Sequence, residues 1–460
     1  MSGDRREAWA GHVGVSGSAV GIGCTVLRDL YGTADARAVL DSRALVQGWL
    51  DSEVALARAE AEVGVIPEAA ADRIAEEADA SRFDLDLLRE GIAQSQHPLV
   101  PLIRALVERC GDAGAYVHWG ATTQDVIDTG MMLQVRAATR LIRGDLAAAE
   151  HAAGELARRY RAVPMAGRTH GQHAVPIAFG QKAETWADEL RRAVARLDRL
   201  EDEVVCAQLG GAAGSLAALG DAATAVRSRF AVHLGLPMPA AAWHTARDRV
   251  REVAHALSQI AAAGERIAAE VVRLQATEVA EVREPAVPGH VGSSTMPQKR
   301  NPMTSEYLIA SARLVYAGTT ALTHSASHAG ERDMGLWAVE WVALPEALIL
   351  TAGIASKLAW ILQDIEIDAD RMRANLEITR GGIMAEAVMM ELARRWGHER
   401  AHAMVARASA HAAASGEALD AALQLDPEVA AVYRPEDLAR IVADPASYLG
   451  SLAPGPPEPG

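Results

Sequence analysis

At 460 residues, half of them hydrophobic and with a mean hydropathy of +0.03, the chain has material for a large buried core, and 4% aromatics beside abundant Ala, Leu, Arg and Glu favours helices over sheets. A formal net charge of -15 excludes nucleic acid and acidic membranes as expected partners, so an anionic ligand needs a local basic site. Three widely spaced cysteines, Cys24, Cys110 and Cys206, have neither C-x-x-C spacing nor an even count, which argues against a disulfide framework or a zinc site. No basic and apolar leader opens the chain and no uninterrupted apolar run of membrane-spanning length is found, so a cytoplasmic, membrane-free, all-α protein is expected.

Residues Met1 to about Val26 carry scattered Gly and Ser without periodicity and read as an irregular lead-in. An amphipathic pattern starts at Ser42 and runs through Leu45, Trp49, Val54, Leu56 and Ala59 to a break at Gly64 to Pro67, and a second helix is expected over Glu68 to Ala80. His97, before Pro98 and an apolar helix through Leu102, Ile103 and Leu106, is either an ordinary boundary histidine or a functional one. A second polar cluster, His118 to Asp125, precedes a long helix. Its Thr122, Thr123 and Asp125 suit an N-cap, and the same hydroxyls and amides suit a carboxylate ligand. A third cluster, Ala166 to Pro176, holds Arg168, Thr169, His170 and Gln172 among glycines, and a long helix is expected from about Ile177 to beyond Val204. That is more polar functionality than a structural turn requires.

The ladder Leu257, Ile260, Ala261, Gly264, Ile267, Ala268 and Val271 gives one apolar face, and comparable stretches fill roughly 126–160, 177–209, 303–325 and 344–363. Long helices rich in small residues imply a bundle with more buried face than one chain uses, which suggests packing between subunits. Past Asp364 breaks at Gly381, Gly397, Gly416, Pro427 and Pro435 shorten the pattern, and the end is Pro/Gly-rich. The expected division is 1–125, a central long-helix domain 126–364, a small helical domain 365–452, and a disordered tail 453–460.

The stretch densest in chemistry runs from Gly289 to Pro302. Gly289 and Gly292 relieve backbone restrictions, Pro302 suits a helix start, and two hydroxyls, a lysine and an asparagine lie between. Residues Gly292 to Pro302 match every fixed position of G-S-S-x-M-P-x-K-x-N-P, so the chain resembles the fumarase/aspartase superfamily, with the clusters at 118–125 and 166–176 in matching order and the similarity spanning about Ser42 to Tyr448. The resemblance implies a homotetramer with sites built from three subunits, and chemistry that removes a proton beside a carboxylate, forms an aci-carboxylate dianion and expels a group from the next carbon. It implies Ser293 as base, Lys299 and Asn301 as stabilisers of the dianion, and His170 as the acid for the leaving group, with His97 a possible sharer of that role. It adds Thr122, Thr123, Gln124, Thr169, Ser294 and Met296 as substrate-binding positions. No metal or organic cofactor is implied.

Within the superfamily the chain is most similar to the carboxymuconate cycloisomerase and adenylosuccinate lyase branch, through His118 to Asp125, Trp243 to Arg249 and Glu331-Arg332-Asp333. Adenylosuccinate lyases follow the last motif with serine and arginine that hold a phosphate, whereas Trp337 and Trp341 follow here, which argues for a small, partly apolar pocket. Arg247 and Arg332 are candidates for a second carboxylate or for structural ion pairs. The expected substrate is a small polycarboxylate. The expectation is a fumarate-releasing lyase on a substituted succinate, nitrosuccinate being a candidate, with 3-carboxy-cis,cis-muconate cycloisomerase the close alternative. A non-catalytic, crystallin-like descendant would have no need to keep Ser293, Lys299, Asn301 and His170 together.

Overall fold

The computed structural model describes residues 21–286, 296 and 298–450, and within them the chain is predominantly helical. The eight principal helices are α1 (Ser42–Glu62), α2 (Thr123–Arg159), α3 (Phe179–Glu203), α4 (Asp248–Gln275), α5 (Met303–His324), α6 (Met334–Asp364), α7 (Ala385–Trp396) and α8 (His398–Ser415). Strands are few: β1 (Pro164–Thr169) pairs antiparallel with β2 (Gln172–Ala178), and β3 (Val282–Arg283) with β4 (Glu366–Ile367). Two compact units form, one from Met1–Leu146, Ala193–Glu265 and Tyr307–Lys357, the other from Ala147–Arg192, Arg266–Glu306 and Leu358–Gly460, and α2 to α6 each contribute residues to both.

In the first unit a core of Trp49, Leu50, Ile74, Leu102, Leu106, Val126 and Trp337 gathers the apolar faces of α1, α2 and the short helices between them. The helices α1 and α2 meet through glycine. A Cβ on Gly48 would stand 3.3 Å from the Gly130 Cα, so the two backbones touch where any larger residue would part them. The start of α2 follows a local code: Asp125, in the first turn, accepts from the backbone N–H of Thr122 at 3.0 Å, half of a capping box.

In the second unit Val388, Leu392, Ala401, Met404, Leu423 and Leu438 form the core of the C-terminal helices. Ala166, on β1, packs with Leu376, Ile383 and Met384. Here the structure corrects the sequence expectation. The stretch before α3 is a β-hairpin, so Thr169 ends a strand, His170 stands in the turn, and α3 starts at Phe179 rather than near Ile177. His170 and Gly171 both take positive φ, 53° and 75°, the two-residue turn that matches strand twist.

Other boundaries also move. The helix after Pro67 ends at Glu77, the one after His97 begins at Val100 with Pro101 in its first turn, and α6 begins at Met334, ten residues before the expected start. By length and composition α6 could cross a membrane, but Glu340, Glu346 and Lys357 interrupt its apolar run and most of that stretch is buried inside the fold. The irregular lead-in up to residue 20 and the tail lie outside the described residues.

Candidate active site

The polar cluster of the first unit is organised on the N-terminus of α2. Asp125, 1% exposed, takes the backbone N–H groups of Gly210 at 2.8 Å and Gly211 at 2.9 Å and lies 2.8 Å from the His244 Nε2. These bonds pin the loop at 210–211 and the Trp243-His244 segment to the helix start. Thr122 and Thr123 remain half-buried beside it, and Thr123 Oγ1 lies 3.4 Å from the His97 Nε2 while the Val100 N–H donates to His97 Nδ1 at 3.4 Å. If Nδ1 accepts, the neutral ring carries its proton on Nε2, facing the threonine.

Gln124 is fully buried, its amide nitrogen donating to the His244 carbonyl at 2.8 Å and its oxygen accepting from Arg332 Nε at 3.0 Å. With both ends of the amide engaged, Gln124 holds Arg332 in place. Arg332 itself is exposed, fixed by Gln124 and by the Ala212 carbonyl at 3.1 Å, and can face an anion. Its neighbour Asp333 accepts from the Leu336 and Ala329 backbone N–H groups, which hold its pKa below the ordinary carboxylate range and cap α6.

Arg247 takes the second of its two expected roles, the structural ion pair. Its side chain has no exposure and is clamped by Asp128, at 2.7 Å and 3.0 Å, and by Glu340. Burial opposes the charge, but the two carboxylates outweigh it and hold the guanidinium pKa above its usual value, while burial still pushes Glu340 up against the pull of Arg247. Trp337 joins this cluster, donating Nε1–H to Asp128 at 2.9 Å. Arg247 is therefore a structural ion-pair partner, and Trp337, 2% exposed, is core rather than a pocket wall.

In the second unit Thr169 and His170 are exposed at the hairpin tip. Beneath them Arg168 makes a bidentate pair with fully buried Glu281, at 2.9 Å and 2.6 Å, and Asn375 donates to the same carboxylate at 2.8 Å. Lys299 and Met296 are exposed and Asn301 is half-buried, just before α5. Ser293 and Ser294 lie outside the described residues. Sequence reasoning missed Glu53, 2.6 Å from the His118 Nδ1, and Glu281, because the partners of these carboxylates are 65 and 113 positions away and nothing local announces them. Burial works against the His118 charge, yet Glu53 raises its pKa. The positive φ of His118, 58°, marks the same spot as strained.

A family model described as Lyase matches residues 31–316 and one described as Adenylosuccinate lyase C-terminus matches residues 381–454. The chain belongs to the fumarase/aspartase superfamily. Among members of that superfamily, it is 42% identical over 432 residues to the 3-carboxy-cis,cis-muconate cycloisomerase of Bradyrhizobium diazoefficiens, covering 93% of this chain and 95% of the relative. The crystal structure of the 3-carboxy-cis,cis-muconate lactonizing enzyme from Pseudomonas putida superposes with a TM-score of 0.88 at 38% identity, covering 93% and 96% of the two chains. That of a fumarate lyase from Mesorhizobium sp. BNC1 does so with a TM-score of 0.85 at 36% identity, covering 92% and 96%. The all-α fold expected from the sequence is thus that of the superfamily, and the chain is an enzyme of this lyase class. The cycloisomerase reading, placed second on sequence, is the better matched.

Proposed function

We propose that the protein is a cycloisomerase of the 3-carboxy-cis,cis-muconate type. The near full-length similarity to the Bradyrhizobium enzyme carries this reading. The reaction is an isomerisation: a carboxylate oxygen adds to a carbon–carbon double bond of the same molecule, and the displaced π pair takes a proton at the carbon next to another carboxylate. In reverse it is a β-elimination whose leaving group is a tethered carboxylate, which is why one site chemistry serves both. Charge accumulates on the carboxylate beside the protonated carbon. Lys299 and Asn301 stabilise it, a role usually worth about 3 to 4 kcal/mol per donor, and Ser293 exchanges the proton at that carbon. Thr122 and Thr123 at the N-terminus of α2 offer hydroxyls to a second carboxylate, and Arg332, held in place by Gln124, offers a cation to a third.

The working unit in this reading is a cytoplasmic homotetramer with sites drawn from several subunits. It is supported by the exposure of Thr169, His170, Met296 and Lys299, four residues placed near substrate by family resemblance. One observation favours fumarate release from a substituted succinate instead. His170 stands exposed at a hairpin tip, available as an acid, and a carboxylate departs without protonation whereas an amine or thiolate needs it. Incubation with 3-carboxy-cis,cis-muconate, nitrosuccinate, aspartate, argininosuccinate and adenylosuccinate separates the readings. Loss of diene absorbance with unchanged mass and a lactone product is expected. Fumarate from a succinate, with the muconate untouched, would establish the second reading, and rapid turnover of adenylosuccinate would overturn both.

A further inference from the structure

A carboxylate that the proposed chemistry does not use ties together the stretches on either side of the signature loop. Glu284 follows directly on β3 and is 5% exposed. One of its oxygens accepts from the Thr304 N–H at 2.9 Å, and the other accepts from the Ser305 N–H at 2.9 Å and the Ser305 hydroxyl at 2.8 Å. Thr304 and Ser305 belong to the first turn of the 22-residue helix α5, where N–H groups lack partners within the helix and its dipole favours negative charge. A side chain 20 positions away thus does the work of a local cap.

Gln275, the last residue of α4, closes the other side. Its oxygen accepts from the Glu284 N–H at 2.7 Å and its amide nitrogen donates to the Arg300 carbonyl at 2.9 Å. The Arg300 guanidinium returns to the Glu284 carbonyl at 3.1 Å and to Glu366 on β4 at 2.9 Å. The main chain is therefore gripped at Arg300 and again at Thr304 and Ser305. Asn301 lies between the grips, and Lys299 is adjacent to the first.

We propose that Glu284 is a positioning residue for the reaction, its carboxylate setting where Lys299 and Asn301 stand. The inference rests on the reading of those two as the groups that stabilise the dianion. Displacing a catalytic donor by about 1 Å costs on the order of 100-fold in rate, so the grip has catalytic as well as structural weight. Glu284→Ala loses three bonds at once. Glu284→Gln keeps the shape but turns an NH2 toward converging donors and loses at least one.

Two measurements on the full-length protein test this. Trypsin cleavage after Lys299 and Arg300 reads the grip without reference to any substrate, and is expected to accelerate about 10-fold or more in Glu284→Ala at unchanged oligomeric state. Unchanged cleavage, or faster cleavage only together with loss of the assembly, overturns the proposal. Kinetics on 3-carboxy-cis,cis-muconate should show kcat falling in the order wild type, Gln, Ala, by about 30- to 100-fold for Ala, with KM within threefold. The double variant Glu284→Ala, Lys299→Ala should be little slower than Lys299→Ala alone, because Glu284 then acts through a group already absent. Fully additive losses overturn the positioning role, whereas wild-type turnover by Lys299→Ala overturns the reading of the loop itself while leaving the cleavage result to judge the grip.

Discussion

Glu60 lies on α1 two turns beyond Glu53, has no exposure, and neither carboxyl oxygen meets a hydrogen-bond partner. Burial first, and the charge of Glu53 second, push its pKa from 4.5 up to about 9. Below pH 4.5 folded and unfolded chains both hold the proton and the group contributes no difference. Between pH 4.5 and 9 only the unfolded chain releases it, so the folded state loses stability as pH rises, by about 1.4 kcal/mol per unit. The loss is about 3 kcal/mol per chain at pH 7 and about 6 kcal/mol at pH 9, on the order of the whole stability of many domains. Glu60→Gln keeps the shape and removes the titration. Urea unfolding of both proteins at pH 5.5, 7 and 8.5, at one fixed protein concentration because assembly contributes by mass action, should show the Gln variant gaining on wild type by about 1.4 kcal/mol per pH unit. A stability difference that does not change with pH would refute the neutral buried carboxyl.

Arg247→Met should leave Asp128 and Glu340 facing each other without a cation, costing about 3 to 5 kcal/mol, read as a lower urea midpoint or loss of soluble protein; adding Asp128→Asn and Glu340→Gln should recover most of it. Stability equal to wild type in the single variant would show that the cluster is not the ion-pair core described. Ser293→Ala should abolish turnover with the assembly intact, and wild-type kcat would remove it from the mechanism. Mixing that variant with His170→Ala, each inactive alone, should restore part of the activity through hybrid tetramers, and no recovery after verified subunit exchange would show each site to be built within one chain.

How legible each part was depends on how far its physics reaches along the chain. The long helices show themselves because an apolar ladder such as Leu257 to Val271 repeats over several turns, and that ladder lies within α4. The hairpin does not. Its strands have six and seven residues, Pro176 interrupts the second, and the register shifts between Ala166 and Arg168, so period-two alternation never establishes itself. The first ten residues of α6 are hidden for a different reason: Glu340 is buried by Arg247, 93 positions away, and no local pattern distinguishes it from a surface carboxylate. The same rule divides the candidate site. Thr122 and Asp125 form a local cap that spacing reveals, whereas the roles of Gln124, Glu281 and Glu284 are set by partners at least 20 positions distant.

Trp337 does not stand where the sequence argument against a phosphate put it. Its indole was expected to fill space that a phosphate would occupy, yet it is buried and bonded to Asp128. The bond ties this stretch of α6 to the cluster in which Asp128 and Glu340 occupy Arg247. Two carboxyls against one guanidinium leave no surplus positive charge there, and the cation is already saturated with acceptors. A phosphate approaching α6 would need to displace a carboxylate from a site of zero exposure, at a cost of several kcal/mol for the charge left unpaired. Arg332, held by Gln124 and the Ala212 carbonyl rather than by these carboxylates, is an exposed guanidinium with one N–H edge left to offer, which suits a single carboxylate. In the proposed reading a preference for a small polycarboxylate over a nucleotide follows from where positive charge is spent, and Arg332→Ala should raise KM for the muconate about 10-fold or more with a smaller change in kcat. An unchanged KM would place the third carboxylate elsewhere.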